Sequence, residues 1–255
     1  MTPRLEIVAV PGIGEVGKGE AVGKLVADAA AAADLELGDN DIVCISQKVV
    51  SKAEGRIRSL SAVEPSPRAQ ELAAELDKDP RMVELVLAES KRLVRAAHGV
   101  LIVETRSGWI CANAGIDASN LPGFDEVALL PPDADDSARR IRAEIAAALD
   151  QRPGVVISDS FGRPWRNGQA EIAIGCAGVV ALDDWRGRSD EHGRELATTA
   201  IANADQLAAA ADLARDKTSG TPAVMIRGAG HMRTEDDGSG AAAAIQRPGG
   251  EDLFR

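Results

Sequence analysis

Three polar clusters in the chain combine residue types and spacing suited to chemistry on an anionic substrate. The richest is Ser158-Asp159-Ser160, which follows directly on an apolar run and is trailed by Arg163, Trp165 and Arg166. An aspartate flanked by two hydroxyls is a set of hard oxygen donors suited to Mg²⁺ or Mn²⁺. The two arginines can fork onto phosphate or carboxylate oxygens. The same letters also fit a capping aspartate with surface arginines. A second cluster, SQKVVSKAEGR, supplies Ser46, Gln47, Lys48, Ser51, Lys52, Glu54 and Arg56 just after an apolar stretch. Its two lysines, four residues apart, could meet phosphates or could protect a solvated edge strand. The third, NAGIDASN, presents Asn113, Asp117 and Asn120 in a glycine-containing loop, where such residues also serve plain turns. Together the carboxylates, lysines and arginines suggest metal-assisted chemistry on a phosphorylated substrate. No Ser-His-Asp triad is apparent, and His98, His192 and His231 lack metal-ligand spacing.

The clusters need elements to hold them. LEIVAV reads as a strand, PGIGEVGKG as a glycine-rich turn and EAVGKLVADAAAAADL as a helix ending near Gly38. DIVCIS, GVLIVET, EVALL, GVVIS, GCAGVVAL and PAVMIRG read as further strands. SPRAQELAAEL and PRMVELVLAESKRLVRAA read as helices, the second opened by Pro80. A further helix runs to Leu149, with Ile141, Ile145 and Leu149 on one stripe. EHGRELATTAIANADQLAAAADLARDK predicts one long helix. Strands and helices alternate loosely, so a mixed α/β or α+β architecture is expected, without the steady rhythm of a doubly wound sheet or barrel.

The turn at the start matches G-x-G-x-x-G with Gly12, Gly14 and Gly17, after a strand and before a helix, with Asp34 or Glu36 about twenty residues on. Three readings compete: a dinucleotide fingerprint, a tight turn needing glycine for positive φ, and a different phosphate-facing loop using backbone amides. Glu15 inside the turn and the lack of a carboxylate at the end of DIVCIS weaken the first. The first reading would make the protein a nicotinamide- or flavin-dependent oxidoreductase.

Composition narrows the field. The 255 residues carry a net charge of −11, which argues against a nucleic-acid-binding surface. Phosphates must therefore be met by local cations, metal ions or backbone amides. No apolar run reaches the ~18–20 residues that span a bilayer, and the apolar run after Arg4 is too short for a signal peptide. A cytoplasmic protein is expected, with Cys44, Cys111 and Cys176 as buried apolar residues in strands.

In order along the chain, PGIGEVGKGE, ISQKVVSKAEGR, NAGIDASN, SDSFGRPWRNGQAEIAIGCAG, TPAVMIRG and the terminal EDLFR resemble the coenzyme F420:L-glutamate ligase (F420-0:gamma-glutamyl ligase) family. The similarity runs from about Val8 to Arg255 and leads to the expectation of a stand-alone ligase without a fused nitroreductase-like domain. The resemblance implies one α+β ligase domain over residues 1–255, two-lobed, with largely antiparallel sheets, flanking helices and an intertwined homodimer. It implies GTP-dependent addition of L-glutamate through γ-linkages to the coenzyme F420 precursor, via an acyl phosphate, releasing GDP and phosphate. A module that binds GTP or the deazaflavin without turnover is the non-catalytic alternative.

Carried over by position, the resemblance implies nucleotide contacts at Pro11, Gly12, Ile13, Gly14, Gln47, Lys48, Lys52 and Asn120. It implies two Mg²⁺ or Mn²⁺ sites using Asp117, Asp159 and Ser160, and allows a potassium ion. Asp117, Asp159 and Lys52 are the expected catalytic residues, and Arg163 and Arg166 the expected substrate or phosphate contacts. Stacking on the deazaflavin ring would fall to Trp109, Trp165, Trp185 or a phenylalanine, and residues 229–246 could add contacts such as Glu235.

Overall fold

The computed structural model describes residues 4–121, 123–215, 220–237 and 241–252. The first part comprises β1 (Glu6–Val10), α1 (Val22–Ala32), β2 (Ile42–Ser46) and α2 (Gln47–Ala53). The middle comprises β3 (Ile57–Ser59), α3 (Pro67–Leu76), α4 (Pro80–Ala88), β4 (Ser90–Ala97), β5 (Val100–Thr105), β6 (Ile110–Ala112) and β7 (Glu126–Ala128). The last part comprises α5 (Ala134–Leu149), β8 (Gly154–Arg163), β9 (Arg166–Ala177), β10 (Asp183–Asp184), β11 (Ala200–Ile201), α6 (Asn203–Asp212) and β12 (Ala223–Arg227). The class is α+β, with mostly antiparallel sheets, as expected.

The main sheet has the order β1-β12-β2-β8-β9, and β2–β8 is its one parallel pair. Side chains alternate across a strand, so each strand feeds two cores. Val43, Ile45, Val155, Ile157 and Met225 join a cluster that includes Val26, Ile141 and Ile145 from α1 and α5. Ile42, Cys44, Val156, Val224 and Ile226 face the opposite way, onto Ala204, Leu207 and Ala208 of α6. A sheet covered on both faces needs near-continuous apolar runs, which explains why DIVCIS and GVVIS show no polar face. Each fully buried Val, Ile or Leu contributes about 1.5–3 kcal/mol. A third cluster stands apart, built by Leu72 and Leu76 of α3, Val83 and Val86 of α4, and Leu101 and Val103 of β5.

Two helix expectations are corrected. The segment read as a helix through Ala97 is helical only to Ala88; Ser90–Ala97 is a strand paired antiparallel with β5. The turn at Glu89 and the edge of β5 override the helical spacing, because pairing satisfies the backbone of the second half. The long helix expected over residues 191–217 is helical only from Asn203 to Asp212. Before it, Asp190 accepts backbone hydrogen bonds from His192 and Arg194, and Ala200–Ile201 pairs with β10; residues 216 and 217 lie outside those described.

The strand expected over GCAGVVAL is displaced as well. It begins at Arg166 and ends at Ala177, because Gly178 turns away with φ +67°. SDSFGRPWR forms the body and tip of a β8–β9 hairpin, with Arg163 opposite Arg166 and Trp165 at φ +57° in the turn. The three cysteines are buried, in β2, β6 and β9. The last residues of the EDLFR motif, 253–255, lie outside the described residues.

The dinucleotide reading of the glycine turn fails on topology. In a dinucleotide-binding fold the first strand is central and parallel to its neighbours. Here β1 is an edge strand, antiparallel to β12, and α1 starts only at Val22. Gly12 and Gly14 adopt φ +83° and +72°, which accounts for glycine at both.

Candidate active site

The sheet brings four separated segments to one end. Val10 ends β1 opposite Ala223, at the start of β12, and Ala223 in turn pairs with Ile45 near the end of β2. The parallel β2–β8 pairing aligns Ser46 with Ser158. The turn after β1, the start of α2, the middle of β8 and the approach to β12 therefore meet at one edge. Between them lies a cavity of about 530 Å³ lined by Gly14, Lys48, Lys52, Asn120, Asp159 and Arg215, among others.

Of the residues expected from sequence, Gly14, Gln47, Lys48, Lys52, Asp117, Asn120, Asp159 and Ser160 line this cavity. Pro11, Gly12 and Ile13 do not, and the Ile13 side chain belongs to the core beneath. Arg163 and Arg166 sit exposed at the hairpin tip, away from the cavity lining. Trp109 is buried in the core, Trp165 is exposed at the hairpin tip, and Trp185 lies under Arg188 at 5.1 Å. Glu235 pairs with Arg142 at 3.6 Å and Arg233 at 3.2 Å, and lines neither this cavity nor the smaller one beside it.

Lysines hold the near wall. Lys48 Nζ lies 2.7 Å from Asp117 Oδ2 and donates to the Ser119 carbonyl at 2.6 Å and hydroxyl at 2.8 Å. Lys52 Nζ lies 2.5 Å from Glu15 Oε1, linking α2 to the glycine turn. Gln47 is buried and accepts a hydrogen bond from Ser51, whose hydroxyl also reaches the Leu129 carbonyl. Asp117 accepts from the Ser119 backbone at 2.7 Å, so its loop is shaped by the same carboxylate that faces the cavity. Burial by itself pushes the Asp117 carboxyl up, but the Lys48 ammonium and the Ser119 hydrogen bonds outweigh it and hold it below the ordinary carboxylate value.

Asp159 is the opposite case. Burial, reinforced by the negative charge of Glu171, pushes its carboxyl up to about 7. Glu171 is opposite Ser160 on the hairpin and accepts the Ser158 hydroxyl at 2.6 Å and the Ser160 hydroxyl at 2.5 Å. Its counter-charge is Arg215, 3.1 Å away, which also reaches Ser158 at 3.2 Å. Glu171 and Arg215 were not expected from sequence. The hairpin signal in RPWRNG, read with β-strand alternation on both sides, would have placed Glu171 across from Ser160. Nothing local to Arg215 marks it.

A smaller cavity of about 310 Å³ adjoins the first and shares Asp117, Ser119, Asp159 and Ser160 with it. The acidic group thus forms a partition between two chambers. Cys111, on the smaller side, has its thiol pushed up to about 12 by burial and the nearby Asp159 charge, which disfavours its thiolate form.

The donor chemistry suits a hard divalent cation: carboxylate and hydroxyl oxygens from Asp117, Asp159 and Ser160, with more negative charge around Asp159 than nearby cations balance. Among the described residues no three His, Cys, Asp or Glu side chains converge as a ready-made cage; Asp117 has Lys48 as its counter-charge instead.

A family model described as F420-0:Gamma-glutamyl ligase matches residues 12–228. The chain belongs to this family. Coenzyme F420:L-glutamate ligase of Methanothermobacter thermautotrophicus is 41% identical over 255 residues, covering 98% of this chain and 99% of its own. That of Methanopyrus kandleri is 43% identical over 255 residues, covering 99% and 98%. That of Haloarcula marismortui is 44% identical over 230 residues, covering 88% and 87%. Membership of the family makes the chain an enzyme, a ligase forming carbon–nitrogen bonds. Among the described residues no helix is long and apolar enough to cross a membrane.

Proposed function

We propose that the protein joins L-glutamate through γ-linkages to the coenzyme F420 precursor, using GTP to activate the precursor's carboxylate as an acyl phosphate. One observation carries the reading beyond family membership: Gly14, Lys48, Lys52, Asp117, Asn120, Asp159 and Ser160, scattered in sequence, line one cavity large enough for a nucleotide.

In the first step a carboxylate oxygen attacks the terminal phosphorus; the bond to the bridging oxygen breaks and GDP leaves with the electron pair. In the second, the glutamate nitrogen attacks the acyl carbon and phosphate departs. Of the three ammonium protons, one stays on the amide, one leaves on phosphate and one goes to solvent. Such transfers need alignment and charge neutralisation more than covalent help from the protein.

Lys48 and Lys52, both mostly buried, offer fixed ammonium groups to the phosphates. Gly14, on the cavity wall, would present backbone to the nucleotide with no Cβ in the way. Asp117, Asp159 and Ser160 are the residues that would hold Mg²⁺ or Mn²⁺, whose charge would offset that of the phosphates. On the same reading the protein is a cytoplasmic homodimer.

The test follows product mass and GDP when the purified protein is given glutamate-free precursor, L-glutamate, GTP and Mn²⁺ or Mg²⁺. Mass gains in glutamate-residue steps, matched by GDP, are expected. Nucleotide binding without any mass gain would leave a non-catalytic module as the better reading.

A further inference from the structure

We infer that the smaller chamber seats the incoming L-glutamate, its ammonium at the wall shared with the larger chamber and its carboxylates toward the amides of Asn113 and Gln169. The inference rests on the ligase reading above and adds to it a subsite and two specificity residues.

The two chambers differ in charge and size across one wall. Lys48, Lys52 and Arg215 line the larger, whereas no Lys or Arg lines the smaller. A chamber without cations is a poor seat for a triphosphate. The carboxylate and hydroxyl oxygens of its wall can all accept from an ammonium, and of the three co-substrates L-glutamate alone brings one. At about 310 Å³ the chamber is near the lower end of ligand pockets, about 300–1,000 Å³. That space suits one amino acid better than a nucleotide or a deazaflavin. The second step asks for the same placement. The glutamate nitrogen must reach the acyl carbon while nucleotide fills the other side, and Asp117, Ser119, Asp159 and Ser160 border both chambers.

Neutral donors complete the chamber. Asn113 follows directly on β6, half-buried, where three successive residues, Asn113, Ala114 and Gly115, take positive φ and turn the chain sharply. Its Oδ1 accepts from the Leu101 backbone N–H at 3.4 Å, so what Asn113 has left for a ligand is its NH₂ end. Gln169, on β9, is exposed, and its ladder partner is Gly162, so no side chain stands opposite it. Both amides belong to the smaller chamber and neither to the larger. Their N–H groups can meet a carboxylate without the charge that would also draw phosphate in.

The experiment measures KM for L-glutamate, GTP and the precursor in wild type, Asn113→Asp, Gln169→Glu and Gln169→Lys. Asn113→Asp keeps the acceptor for Leu101 and tolerates positive φ, yet replaces the donor with a negative charge. It and Gln169→Glu are each expected to raise KM for L-glutamate at least about tenfold, the scale of one lost hydrogen bond to a charged group. KM for GTP and for the precursor should stay within about twofold. Gln169→Lys, which keeps a donor and adds a positive charge, should leave KM for L-glutamate at or below that of wild type. An equal rise in the Glu and Lys variants would make Gln169 merely structural and overturn the inference. So would a rise for the precursor with L-glutamate unchanged, or no change for any substrate. Should Asn113→Asp be unfolded by circular dichroism, the two Gln169 variants decide by themselves. A wild-type protein that yields no glutamylated product rejects the ligase reading itself, a result distinct from a KM change confined to the variants.

Discussion

Lys48 Nζ sits 2.7 Å from Asp117 Oδ2, so the first turn of α2 and the loop between β6 and β7 are held together by the same two charges that face the cavity. On the proposed function, a nucleotide phosphate entering there would compete with Asp117 for the ammonium, and a divalent cation would compete with Lys48 for the carboxylate. Without ligands, the pair compensates both charges.

Lys48→Met should therefore weaken GTP by tenfold or more and also loosen the 117–120 loop, since three contacts to Asp117 and Ser119 vanish. Calorimetry gives the first effect and limited proteolysis at that loop the second. Unchanged GTP affinity would exclude Lys48 as a phosphate contact.

Asp159→Asn should abolish turnover with the fold intact, because the change removes one charge and opens no core cavity. Stability gives an independent readout in metal-free protein. The folded carboxyl titrates near 7 against an ordinary value of 3.8. Its favourable contribution is complete below the unfolded value and is lost as pH rises through 7. Relative to wild type, Asp159→Asn should be more stable at pH 8, by up to about 4 kcal/mol, and equal near pH 3. Thermal melts with a chelator across that range check the sign, and added Mn²⁺ should raise the melting temperature of wild type much more than that of the variant.

Glu171→Gln leaves Arg215 buried without its counter-charge, a change that typically costs about 3–5 kcal/mol. Pairing it with Arg215→Met should restore much of that loss. A double-mutant cycle by denaturant unfolding measures the coupling, and additive single effects would show that the pair is not energetically linked.

Arg163→Ala and Arg166→Ala, at the exposed hairpin tip, should each change stability by less than about 0.5 kcal/mol and leave GTP affinity within twofold. A large GTP loss in either would bring the hairpin arginines into the nucleotide site after all.

Much of the site was legible because the relevant residues come in short runs. Lys48 and Lys52 lie one helical turn apart on α2, and Ser158-Asp159-Ser160 are consecutive, so a single pass along the chain finds them. The β4 strand was not legible: SKRLVRAA has helical spacing, and only the edge of β5 makes it extended. The hairpin was not legible because the apolar run that marks the strand stops at Ser158 and the polar residues beyond it carry no apolar period. With the hairpin went Glu171, which is separated from Ser160 in sequence and adjacent to it in the ladder.

The sequence by itself determined the α+β class, the family and the main polar clusters, since local apolar period and ordered motifs are properties of neighbouring residues. The tertiary structure decided which residues share a wall. Parallel pairing of β2 with β8 sets the start of α2, with Lys48, near Asp159, Lys48 in turn meets Asp117, and antiparallel pairing of β8 with β9 delivers Glu171 to meet Arg215. Those contacts depend on strand order and register, which side chains far apart in the chain settle only by packing together.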